Sequence, residues 1–143
     1  MKEFDATAME HIGSTKNSEY YLAEREVMVC VPNLGAHDTA ESAQENKDWQ
    51  QQFWRDRGHG GVIVILFDRM SGQDKGARDI YASWKADTDN MRATALVGGN
   101  VLSRAMMSFF LGLNPPELPL KMFGTYEQAL HWAKEMNEAR RPR

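Results

Sequence analysis

The run Val62-Ile63-Val64-Ile65-Leu66-Phe67, released by Gly60-Gly61, most narrows what this chain can fold into. Consecutive apolar, mostly β-branched residues without alternation describe a strand covered on both faces. Such a strand needs helices on either side of a sheet, which places the chain in the α/β class.

The flanking sequence supplies the other elements. Tyr20-Tyr21-Leu22-Ala23 and Val27 to Val31 read as a hairpin around Glu24-Arg25-Glu26. Met91 to Val97, closed by Gly98-Gly99, reads as a parallel-type strand, and Leu118 to Phe123 as a short, proline-flanked edge strand. Asp38-Thr39-Ala40-Glu41 has the spacing of a capping box and opens a helix that runs to about Arg57, with Gly58 as its stop. Ser71-Gly72-Gln73-Asp74 is expected to begin the next helix, whose stripe is Ala77, Ile80, Tyr81 and Trp84. Asn100 caps a helix from Val101 to Leu113, and Thr125-Tyr126-Glu127-Gln128 opens the last one. The order is β-β-α-β-α-β-α-β-α: a mixed, mostly parallel sheet with about four helices. Residues 1–18 read as a loose polar leader, 19–138 as the domain, and 139–143 as a basic tail with Arg140, Arg141 and Arg143.

Composition removes several functions. With 17 basic and 20 acidic side chains, the formal charge of −3 offers nothing to nucleic acid. No stretch approaches the roughly 20 apolar residues of a spanning helix, and none resembles a signal peptide, so a cytoplasmic location is expected. The single cysteine, Cys30, sits in an apolar run and reads as a buried hydrophobe. The four histidines, His11, His37, His59 and His131, show no metal-binding spacing, and no cofactor motif is present. A nucleophile elbow is absent as well.

Two regions remain as candidate sites. The first is the carboxyl edge of the sheet, where open α/β folds collect ligands. It should carry Asn33 and His37, then Asp68, Arg69 and Ser71, then Gly98, Gly99 and Asn100, and Gly124. The Gly98-Gly99-Asn100 turn into a helix aims backbone N–H groups outward, as an anion site would, with Asp68 and Arg69 close by. The second region is the helix from Val101. Its main stripe is Val101, Leu102, Ala105, Met106, Phe109, Phe110 and Leu113, with Met107 and Leu111 beyond it. That apolar arc is wider than one sheet contact requires. Met106, Met107, Phe110 and Leu111 are therefore candidates for a homodimer or protein interface, or for holding a small apolar ligand.

The element order, with Leu66-Phe67-Asp68-Arg69 and Ala95-Leu96-Val97-Gly98-Gly99, resembles the SpoIIAA-like group of small bacterial domains, related to STAS domains and to the CRAL-TRIO lipid-binding fold. Pro115-Pro116, Met122-Phe123 and Glu127-Gln128-Ala129-Leu130-His131-Trp132 match that group's ending, and the resemblance covers about residues 19 to 136. It implies a STAS-like sheet and a non-enzymatic regulatory or protein-interaction role, with apolar-ligand binding as the alternative. A hydrolase or transferase using Asp68 and the Gly98-Gly99-Asn100 turn is the third reading. Anti-sigma-factor antagonists of that fold carry a phosphorylatable Ser in an Asp-Ser-Ser/Ala-Gly loop. Here Arg69 and Met70 separate Asp68 from Ser71-Gly72, so Ser71 is not expected to act as a phosphoswitch.

Overall fold

The computed structural model describes residues 9–82, 91–113 and 119–139. Their elements, in chain order, are β1 (Glu10–Ser14), β2 (Ser18–Ala23), β3 (Val27–Pro32), β4 (Ala36–Asp38), α1 (Ala40–Arg57), β5 (Gly61–Leu66), β6 (Met70–Gln73), α2 (Lys75–Ala82), β7 (Met91–Val97), α3 (Val101–Leu113), β8 (Leu120–Phe123) and α4 (Tyr126–Ala139). Six strands form one sheet in the order β1-β2-β3-β5-β7-β8. The hairpin strands β1, β2 and β3 pair antiparallel, and β3, β5, β7 and β8 run parallel. The mixed, mostly parallel sheet inferred from the sequence is therefore the one found, with β8 at an edge.

Burial explains the uninterrupted run in β5. One face of the sheet carries Val27, Val29 and Val31 of β3, Val62, Val64 and Leu66 of β5, and Ala93, Ala95 and Val97 of β7, packed with Ala129 and Ala133 of α4. The alanines on both β7 and α4 let helix and strand approach closely. The other face divides in two. Under α1, Trp54 packs with Tyr20, Met28, Cys30 and Ile63. Under α3, Met106 and Met107 pack with Phe67, Met70 and Leu96.

Gly61 meets a steric demand here, because a Cβ on it would lie 2.3 Å from the Trp54 ring. Gly58 ends α1 in the left-handed region, at φ +80°, and its N–H returns to Arg55. Asn46 and Gln50, which break up the apolar pattern of α1, are buried and hydrogen-bonded. Tyr20 donates to Asn46 at 2.9 Å, Gln50 donates to Tyr20 at 2.9 Å, and the Asn46 amide reaches Asn17 at 2.9 Å.

Three expectations change. Part of the stretch read as a loose leader, Glu10–Ser14, is an edge strand. It is held by backbone pairing to β2 rather than by an apolar pattern. The capping box of α1 is shifted by one residue, to Thr39 and Ser42. Asp38 is instead buried, accepting the Ser42 hydroxyl and the Asn17 amide. Met70–Gln73 is a strand, paired with β4, and Ser71 does not begin α2. Asp74 caps that helix by accepting from Ala77 N–H at 3.0 Å. Strands this short leave no periodicity to read. The tail at 140–143 lies outside the described residues, as does Trp84.

Replacing Gly61 by Ala is expected to lower unfolding free energy by about 1–3 kcal/mol through overpacking against Trp54. Urea denaturation followed by tryptophan fluorescence measures it, and an unchanged midpoint would contradict the packing described.

Candidate functional site at the carboxyl edge

The site begins where β5 ends. Phe67 turns inward and is buried, and a single 3-10 turn over Phe67–Arg69 carries the chain across to β6. This turn swings Asp68 out from its own strand towards the connection between β7 and α3. Its two carboxylate oxygens accept Gly99 N–H at 2.9 and 3.0 Å, and one of them also accepts Asn100 N–H at 3.2 Å. The Ser103 hydroxyl lies 2.6 Å from Asp68 and 2.8 Å from the side-chain Oδ1 of Asn100. A hydroxyl has one proton, and the shorter, charge-assisted contact takes it, so Ser103 donates to Asp68. Asn100 caps the helix as the sequence implies, accepting Ser103 N–H at 2.8 Å.

Asp68 therefore fills from within the position that the Gly98-Gly99-Asn100 turn offers to an anion. Burial pushes the Asp68 carboxyl up, but hydrogen bonds from Ser103, Gly99 and Asn100 outweigh it and hold the group below its ordinary value. A carboxylate held ionised accepts hydrogen bonds and is poorly suited to proton transfer near neutral pH.

Other candidate residues serve neighbouring contacts. Arg69 donates its Nε to the Pro32 carbonyl at 2.6 Å, and its own carbonyl accepts Gly35 N–H at 2.8 Å. Ser71 is exposed on β6 and donates to the Ala36 carbonyl at 3.2 Å. Gly98 is enclosed. A Cβ there would stand 2.5 Å from Ser103 Cβ and 2.9 Å from Met107 Cε. The segment 67–71 thus laces together the carboxyl ends of β3, β5 and β7. Asp68, Gly99 and Asn100 form one group with Ser103, while Arg69 and Ser71 face β3 and β4.

The interface candidates on α3 are corrected by burial. Met107 is 0% exposed and Met106 8%, both packed into the chain's own core. Phe110 and Leu111 have side chains outside the described residues. Among the described residues, the exposed large apolar side chains are instead Val101 at 86% and Leu102 at 44%, with Leu34 at 81% on the loop after β3. The roll of α3 follows from its first turn. At about 100° per residue, fixing Ser103 inward by its bond to Asp68 places Met106 and Met107 on the same side and Val101 opposite. Ser103 falls outside the apolar residues named on this helix from the sequence. The Asn100-x-x-Ser103 spacing, which is that of a capping pair, was the available signal.

Burial pushes the Cys30 thiol up to about 11, against weaker opposing hydrogen bonds from Tyr20 and Ser18. His11, His59 and His131 each meet one carboxylate, on Glu19, Glu26 and Glu135. Among the described residues no three His, Cys, Asp or Glu side chains gather as a metal site would require, and no helix is long and apolar enough to cross a membrane.

Comparison with known proteins places the chain in a family. Residues 21–137 match the model described as Domain of unknown function (DUF7793), and the chain belongs to that family. No curated protein matches it. A solved structure, an uncharacterized protein from the DUF3478 family with a SpoIIAA-like fold from Shewanella loihica PV-4, aligns with a TM-score of 0.54. The alignment covers 88% of this chain and 92% of that one, at 14% identity. At that identity the likeness concerns the fold: the chain is SpoIIAA-like, as its sequence implied.

Asp68→Ala is expected to cost about 1–2 kcal/mol at neutral pH, the range of a lost helix cap. Because folding lowers the Asp68 pKa, its contribution is present above about pH 4 and fades as the pH falls further. Urea titrations of both proteins between pH 2.5 and 7 should show the gap closing at the acid end. A gap independent of pH would contradict the charged cap. Ser71→Ala, by contrast, should stay within about 0.5 kcal/mol of the parent.

Proposed function

We propose that this DUF7793 member is a non-enzymatic regulatory or protein-interaction module whose docking face is the carboxyl edge of its sheet. One observation carries the reading. The large apolar side chains exposed among the described residues, Leu34, Val101 and Leu102, all belong to that edge. Leu34 stands on the loop after β3 and Val101 and Leu102 on the first turn of α3, and the two are linked through the bonds of Gly35 to Arg69 and of Asp68 to Gly99 and Asn100. Apolar side chains grouped on a rigid surface suit a contact with another macromolecule.

The polar groups of the same edge support docking over catalysis. Asp68 is committed to the start of α3, and Ser71 to a backbone carbonyl. An apolar-ligand carrier would need an enclosed void beside α3. There Met106 and Met107 fill the space against Phe67, Met70 and Leu96.

Two measurements test this reading. The double variant Leu34→Ser/Val101→Ser should unfold within about 0.5 kcal/mol of the parent, because side chains that are solvated in the folded state contribute little to folding. Native mass spectrometry should then find the purified chain without a stoichiometric small molecule. A large loss of stability would make the trio structural, and a co-purified apolar molecule would favour the carrier.

A further inference from the structure

We infer that the partner of this edge is a protein segment bearing carboxylates beside apolar side chains; the inference rests on the docking role proposed above. Two arginines flank the apolar trio, and both are exposed. Arg104 follows Val101 by three residues, which sets the two as neighbours on the outer side of α3. Arg69 spends its Nε on the Pro32 carbonyl, which lays the side chain across the end of β3, two residues before Leu34. Among the described residues neither guanidinium forms an ion pair. Asp68, the acid nearest to Arg69 in sequence, turns its carboxylate to the first turn of α3. The edge therefore offers three aliphatic side chains and two guanidinium groups with donors to spare, and carboxylates are what the guanidinium fork pairs with best.

Charge separates this occupant from two others. A second copy docked about a two-fold axis would bring the arginines of one edge towards those of the other, and like charges across an interface are costly. An anionic bilayer is an extended surface that meets the whole chain, whose formal charge is −3. A short segment meets the edge within a Debye length, about 8 Å at physiological salt, where Arg69 and Arg104 keep free donors while Asp68 is spent on the start of α3.

Panning a displayed random-peptide library against the immobilised full chain tests the inference without a known partner. Enriched sequences should combine Asp or Glu with Leu, Ile or Phe. A synthetic peptide from that set should lose affinity about tenfold or more on Leu34→Ser/Val101→Ser and on Arg104→Glu. Panning against Arg104→Glu should shift the selection towards Lys and Arg. Circular dichroism checks that each variant folds. Peptides that need Leu34 and Val101 but are not acidic would overturn the inference and leave the docking face standing. Peptides indifferent to both residues, or no enrichment at all, would overturn both. Sedimentation of the parent chain and its uptake by phosphatidylserine vesicles complete the set. A dimer, or vesicle binding, that is abolished by the Leu34→Ser/Val101→Ser change would reassign the edge to a second copy or to lipid.

Discussion

A strand buried on both faces cannot carry polar side chains along its length, and β5 is such a strand from Gly61 to Leu66. Along β5 itself polar chemistry is therefore confined to the strand's exit. The chain places its first charged residue there, immediately after Phe67. Asp68 leaves β5 on a single 3-10 turn and meets the N–H groups of Gly99 and Asn100, which α3 itself cannot satisfy. The helix dipole favours the same charge at the same point. One carboxylate thus joins the exit of β5 to the exit of β7, while Arg69, the next residue, joins it to β3.

That junction determines what the edge presents. With Ser103 drawn inward beneath Asp68 and against Gly98, α3 is rolled so that Met106 and Met107 complete the core. The same roll turns Val101 and Leu102 to solvent. The internal anion and the exposed aliphatics are two results of a single geometry. At this edge the N–H groups of Gly99, Asn100 and Ser103 are already engaged and have little to offer a phosphate or a substrate carboxylate. Its unspent resources are apolar surface and two guanidinium groups.

Much of this fold was legible in the sequence, because its principal strands are long enough to show composition and its helices carry caps at Asn100 and Thr125. The parts that escaped are those held by backbone pairing or by a single polar bond. Neither β1 nor the β4–β6 pair has an apolar repeat. Their partners, β2 for one and each other for the rest, are known only once the chain is folded. The face of α3 was misassigned for a related reason. A helix apolar almost all round gives no preferred side, and the side is chosen by Ser103, a small polar residue whose partner lies 35 positions away. The residues of the carboxyl edge could be named from topology alone. Which of them are spent on one another could not.

The claim on which the account rests is that Asp68 fills the start of α3 and closes it to outside anions. Amide chemical shifts of the 15N-labelled chain, followed during titration with inorganic phosphate, test it most directly. The account predicts that Gly99, Asn100 and Ser103 show no saturable shift through the millimolar range, while Asp68→Ala makes those same amides respond. Saturable shifts of Gly99 and Asn100 in the parent chain would contradict it.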